Sequence, residues 1–319
     1  MKIVYNGTMD PVAFKDLLGG LIPRLSAEDP DVIYLDADLM SCIGTMKFAA
    51  AHPERAINCG IAEANMIGVA CGLSAAGFKP IAHTFGPFAS RRVFDQIFLS
   101  GGYAKNSITV LGTDPGVTAT FNGGTHMPFE DMALYRAIPG ATVIDITDTA
   151  MLESVLTQAK DMEGVKYIRV GRKTNAKVYE NGQHFTIGKG IPLREGKDAV
   201  VFSCGIMVHE ALQAAEELKK SGVEVAVVDM FTVKPLDEET VVSYAKRTGA
   251  VVTAENHNKI GGLYSAVTDV LARLCPVPAE YVAVEDVFGQ VGPQDYLQQV
   301  YGLTKENIVK KVKAVIARK

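Results

Sequence analysis

Continuous apolar, β-branched runs alternate with segments of helical period along almost the whole chain, and this pattern constrains the fold more than any motif does. Val32–Leu35, Lys79–Thr84, Ser107–Gly112, Ala141–Ile146 and Lys166–Val170 are rich in apolar and β-branched residues and do not alternate strictly with polar ones. A strand with water on one face would alternate, so these runs predict strands of a parallel sheet covered on both sides. Pro87–Ala104, Phe129–Ala137 and Thr147–Asp161 have the period of the intervening helices. Residues 171–198 then turn polar and glycine-rich and lose their period, which predicts a domain connection with a small hairpin at Glu180–Gln183.

After the connection the alternation restarts. Ala199–Gly205, Val223–Met230, Ala250–Asn256 and Glu280–Asp286 predict strands, and Val208–Gly222, Leu236–Gly249 and Gly261–Leu274 predict helices. Gly222 is placed to stop the first of these helices, and Thr304 and Asn307 to cap a last one running to Ala317. A chain of 319 residues exceeds one comfortable core. The expected architecture is therefore α/β, with two tandem, mostly parallel-sheet, three-layer domains over residues 1–185 and 186–319.

Several functions are disfavoured by composition and pattern. The net charge of −4 offers no basic surface for nucleic acid. Five cysteines, an odd number with no CxxC pair, fit buried thiols in a reducing cytoplasm rather than a zinc site. Asp10, Pro11, Lys15 and Asp16 interrupt any leader-like apolar run, so a cytoplasmic location is expected. The stretch Met66–Phe78 is too short to span a bilayer and reads as a buried helix. Walker, GxGxxG, GxSxG and HExxH patterns are all absent.

Three segments carry chemistry, and each follows a strand, where ligands gather in open α/β sheets. In Ile57–Gly77, Glu63 enters a wall of small and apolar residues. Read alone, it is a first-turn acid favoured by the helix dipole, or a carboxylate whose partner comes from elsewhere, a ligand nitrogen included. In His83–Ile97, Phe85 and Phe88 flank a Gly-Pro turn. They are either core aromatics or a stacking platform for a planar heterocycle. In Gly112–Asp131, His126 follows a glycine pair on an irregular loop, where a histidine is either solvent-facing or functional.

Taken together, Tyr34–Leu39 (YLDADL), Gly60–Gly77 (GIAEANMIGVACGLSAAG), Thr84–Ile97 (TFGPFASRRVFDQI) and Gly123–Gly140 (GGTHMPFEDMALYRAIPG) resemble the thiamine-diphosphate enzymes of the transketolase family in order and spacing. Ala250–Val267 and Asp286–Thr304 are similar to that family's carboxyl-terminal domain. The resemblance implies a pyrimidine-binding domain followed by a transketolase C-terminal domain. It implies that Glu63 hydrogen-bonds N1′ of the aminopyrimidine, that Phe85 and Phe88 surround the ring, and that Asp38 lies near the cofactor. It further implies that His126 faces the donor's carbonyl end, that Asn122 stands where the family reads donor hydroxyls with an Asp, and that Arg172 meets an anionic end of the substrate. Arg91 occupies a third position of the aromatic cluster.

The Gly-Asp-Gly motif that binds the diphosphate through Mg²⁺ is missing. The resemblance is thus to split transketolases, with an amino-terminal partner subunit holding diphosphate and metal in an α2β2 complex, and the chain is expected not to hold the cofactor alone. An amide at Asn122 cannot act as a charged acceptor, Asp114 lies where a phosphate-contacting His is expected, and Met9 and Asp10 stand where an Arg is. A modified donor is therefore expected: a branched, deoxy or sulfonated sugar. The other readings are a β subunit of a 2-oxoacid dehydrogenase and a transketolase-like assembly protein without catalysis.

Overall fold

The computed structural model describes residues 1–319. Its strands are β1 (Val32–Asp36), β2 (Ala56–Asn58), β3 (Lys79–Phe85), β4 (Ile108–Thr113), β5 (Thr142–Asp145), β6 (Val165–Val170), β7 (Ile191–Arg194), β8 (Ala199–Ser203), β9 (Val225–Asp229), β10 (Thr232–Lys234), β11 (Val251–Asn258) and β12 (Ala279–Val284). They form two sheets, ordered β10-β5-β6-β4-β3-β1-β2 and β12-β11-β8-β9-β7. All pairs are parallel except β10 with β5 and β7 with β9, both at sheet edges. Every residue of β1, β4, β5, β6, β8 and β9 is buried, as expected for mainly apolar strands covered on both faces. No helix is long and apolar enough to cross a membrane.

Several readings are changed by the structure. The predicted hairpin at Glu180–Gln183 does not form. Instead Tyr179 and Ala176 bridge to Ile3 and Met9 of the amino-terminal segment, and Asp148 accepts hydrogen bonds from the Val178 and Tyr179 amides while capping the helix Thr149–Ala159. These side-chain bonds tie the connection to the first sheet without a strand of its own. The helix expected at Pro87–Ala104 breaks into a short turn at Gly86–Ala89, a tight turn at Arg91–Val93 and a wider coil at Ile97–Tyr103. Strand β10 belongs by sequence to the second half, yet it extends the first sheet.

The helix Glu63–Ala75 buries only one face, with Glu63, Met66, Ile67, Ala70 and Cys71 inward. Asn65, Gly68, Val69, Gly72 and Ala75 face outward and are exposed. A helix apolar all round is usually covered all round, so the outward face is apolar surface in search of a partner. Ile61 (76% exposed), Leu99 and Tyr103 (83% exposed) are exposed large apolar side chains on the segments flanking this helix and following it.

The two halves meet on a buried polar hub. Arg169, on β6 and fully buried, donates to Asp131 (2.7 Å), to Asp145 (2.9 Å) and to the Asn256 carbonyl on β11 (2.9 Å). Asn256 in turn bonds the Pro115 carbonyl and the Val117 amide. Asp229, at the end of β9, accepts from Thr147 (2.7 Å) and Tyr179 (2.8 Å), while its Oδ1 is buried without a partner.

Burial pushes the Asp229 carboxyl up to about 7. A carboxyl whose folded value is raised stabilises the fold fully below its unfolded value, and that contribution is lost as pH rises through the folded value. Between about pH 4 and pH 7 the native state therefore loses stability at up to about 1.4 kcal/mol per pH unit from this group. Urea midpoints between pH 5 and 7.5 are expected to fall less steeply for Asp229→Asn than for the natural chain. Identical slopes would contradict this account.

Candidate functional site

The site lies at the carboxyl ends of β1, β3 and β4, adjacent strands of the first sheet. Phe85 is the last residue of β3, and Gly86 turns the chain into the short helical turn that carries Phe88. A Cβ on Gly86 would lie 2.7 Å from Pro128, so only glycine lets this turn pack on the segment that carries His126. The three rings consequently cluster, with centroids 5.9 Å apart for Phe85–His126, 5.1 Å for Phe88–His126 and 6.4 Å for Phe85–Phe88.

Glu63 opens its helix with no side-chain cap before it, and is 3% exposed. Its partner comes from another element: Arg92 Nη1 lies 2.6 Å from Glu63 Oε1. The Arg92 guanidinium also lies 3.8 Å from the centre of the Phe88 ring. The Glu63–Phe88 pair thus already accepts a flat N–H donor that stacks on the ring.

Arg172 follows β6 and lies 4.9 Å from the centre of the Phe85 ring. Its Nε (2.7 Å) and Nη2 (2.5 Å) both reach Asp114 Oδ2. Burial raises the Asp114 carboxyl above its ordinary range, with the Arg172 guanidinium opposing that shift. A run of direct contacts therefore links Glu63, Arg92, Phe88, His126, Phe85, Arg172 and Asp114.

Three of the site residues named from sequence, Asp38, Asn122 and Arg91, stand outside this run. Asp38 is exposed, adopts a positive φ of 64°, and pairs with Asn58. Asn122 is exposed, just ahead of the Gly123–Gly124 pair. Arg91, at the third aromatic position, is a brace: it pairs with Glu130 (2.9 Å) and donates to the Thr125 carbonyl (2.9 Å), beside His126.

Sequence reading missed what lies beneath the rings. Asp36 accepts from Tyr34, from the Leu39 amide and from His83 Nδ1 (2.7 Å), and His83 Nε2 bonds Thr113 (3.1 Å). Asp36, His83 and Thr113 sit fully buried on β1, β3 and β4 and tie the three strand ends together. The available signal was a histidine and an aspartate inside otherwise apolar runs, at the ends that face the ligand edge.

The second half contributes a roof. The loop Asp286–Val291 lies on the segment before His126, and a Cβ on Gly124 would meet the Gly289 carbonyl oxygen at 2.3 Å. Arg91, Glu130, Asp286 and Phe288 line a cleft of about 490 Å³ between the two. No group of three or more His, Cys, Asp or Glu is arranged to hold a metal ion.

Comparison with known proteins agrees with this geometry. Residues 10–176 match the family model described as "Transketolase, pyrimidine binding domain", and residues 188–308 match "Transketolase, C-terminal domain". A 6-deoxy-6-sulfo-D-fructose transketolase subunit, SqwH, from a Clostridium species is 47% identical over 305 residues, covering 96% of this chain and 95% of that one. A putative transketolase C-terminal section from Methanocaldococcus jannaschii is 37% identical, covering 92% of this chain and 93% of that one. The solved structure described as "Split gene transketolase, inactive beta4 tetramer" superimposes with a TM-score of 0.89 at 40% identity, over 97% of this chain and all of that one.

Proposed function

Because the chain belongs to the transketolase family, matching its pyrimidine-binding and carboxyl-terminal domains in sequence order, we propose that it is the proton-relaying half of a split enzyme whose other half anchors the cofactor. The family depends on thiamine diphosphate and moves a two-carbon ketol unit from a ketose to an aldose. When bound, the cofactor supplies the carbon nucleophile that receives that unit.

In this reading each residue has one task. Glu63 would share a proton with N1′ of the aminopyrimidine, its carboxylate accepting from the protonated ring nitrogen, in a wall that excludes competing water. Phe85 and Phe88 present ring faces to the heterocycle. His126 donates a hydrogen bond to the donor's carbonyl oxygen as negative charge develops there. Arg172 and Asn122 read the far end of the sugar, and Asp38 lies toward the subunit contact. The observation that carries the reading is the buried Glu63 carboxylate joined through Arg92 to Phe88, whose ring also packs edge-on with His126.

The residues present do not fit Mg²⁺, which takes oxygen ligands in a near-octahedral shell. The metal and the diphosphate are proposed to sit in an amino-terminal partner subunit, in an α2β2 complex in the cytoplasm. The exposed apolar face around Gly68, Val69 and Gly72, on the helix that Glu63 opens, supports a partner there. The proposed division of labour follows the proposed domain limits, with 1–185 carrying the pyrimidine site and 186–319 its roof.

The donor is proposed to be a modified sugar with a singly charged end. Asp114 neutralises Arg172, so a phosphate dianion would meet a carboxylate beside its cation, whereas a sulfonate monoanion meets less repulsion. The name of the SqwH relative points the same way. In the assembled enzyme, Asp114→Asn is expected to shift the kcat/KM ratio toward fructose 6-phosphate and away from 6-deoxy-6-sulfofructose by about tenfold, roughly 1.4 kcal/mol. An unchanged ratio would remove Asp114 from donor choice.

The function itself is tested by mixing the chain with the amino-terminal subunit, thiamine diphosphate and Mg²⁺ and screening ketose donors. Ketol transfer to an aldose is expected. Decarboxylation of pyruvate without ketol transfer would contradict it.

A further inference from the structure

Arg92 makes the two contacts that the aminopyrimidine would need. Its N–H points at Glu63 from 2.6 Å, and its planar head lies on Phe88 at 3.8 Å. A guanidinium and an aminopyrimidine protonated at N1′ share this chemistry: an in-plane N–H donor and a face that stacks on aromatics. The face of Phe88 that the Arg92 guanidinium covers cannot stack on both at once.

The placement of Arg92 suits a side chain that can leave. It is 44% exposed, while Glu63 beside it is 4% exposed. Glu63 is its only hydrogen-bond acceptor. Its neighbour Arg91 points elsewhere, bracing Glu130 and the Thr125 carbonyl, so the backbone of the Arg91–Val93 turn stays held when Arg92 moves. Glu63, by contrast, cannot do without a partner. A buried carboxylate left unpaired is costly, and the Arg92 cation pairs with it and orients it.

We infer that Arg92 is a placeholder for the aminopyrimidine, holding Glu63 and covering Phe88, and that cofactor binding exchanges one flat N–H donor for another. Arg92 is thus a positioning residue that keeps the site formed and lowers the net affinity for the ring by the contacts it must surrender. This inference rests on the thiamine reading of the site.

The test uses the complex assembled with the amino-terminal subunit and Mg²⁺, titrated with thiamine diphosphate in a calorimeter. Arg92→Ala is expected to lower Kd about tenfold. Arg92→Lys, which keeps the charge but not the planar stack, is expected to fall between the two. In a Glu63→Ala background the Arg92→Ala effect should shrink to less than twofold, because Arg92 then has no carboxylate to hold. A structural role alone would weaken binding in every variant. Equal or weaker binding by Arg92→Ala overturns the placeholder while leaving the thiamine reading intact. No binding by either the natural or the Arg92→Ala complex overturns both.

Discussion

Replacing Glu63 by glutamine is expected to lower the turnover of the assembled enzyme by about 10²–10⁴-fold, the range a positioned acid–base group supplies. Glutamine keeps the shape of the side chain and an oxygen that accepts from Arg92, so the hydrogen bond seen here survives without the ion pair. What it loses is ionisation, and with it the ability to hold or pass a proton at the ring nitrogen. The change therefore separates chemistry from packing: native-like assembly and unfolding midpoint, with turnover nearly abolished. A Glu63→Gln complex within threefold of the natural rate would remove the carboxylate from the mechanism.

The second large effect concerns stability. Arg169 is fully buried between Asp131 and Asp145 and donates to a carbonyl of the second sheet. Removing one partner of a buried ionic group strands the others, at a cost of about 3–5 kcal/mol. Arg169→Met should lower the stability of the chain by that amount in urea unfolding. Much of the loss should return when Asp131 and Asp145 are also made asparagine, since no buried carboxylate is then left uncompensated. A loss below about 1 kcal/mol would place the energy of the seam in the apolar contacts instead.

The strands that scaffold the site were legible because each is buried on both faces, so its apolar run is continuous and β1, β3, β4, β5 and β6 emerge within a few residues of their expected ends. Edge strands carry no such mark. β10 and β7 are short, partly exposed and antiparallel, and whether β10 joins the first sheet or the second is set by packing between halves. Gly86 and Pro87 after Phe85 announced a turn, and Gly86 is required there by its approach to Pro128.

Side-chain partnerships were the harder part. Glu63 visibly lacked a local cation, but nothing in its helix names Arg92, which arrives from the broken segment after Phe88. Arg172 looked free for an anion, and its capture by Asp114 depends on two strand ends lying side by side in the sheet. The same adjacency builds the Asp36–His83–Thr113 chain, whose members are scattered through the sequence. Pairings across a parallel sheet are long-range by construction, so local pattern does not encode them. The helix Glu63–Ala75 is the converse case. Its all-round apolar character was plain, and the chain by itself covers only half of it.

The central claim is that this chain supplies Glu63, the ring platform and His126 to a cofactor anchored by another subunit. It is tested most directly by measuring ketol transfer while titrating this chain into a fixed amount of the amino-terminal subunit with saturating thiamine diphosphate and Mg²⁺. The account predicts no turnover from either chain alone and a rate that rises to a plateau at equal numbers of the two. Turnover by this chain alone, or no ketol transfer at any ratio with any ketose donor, would contradict it.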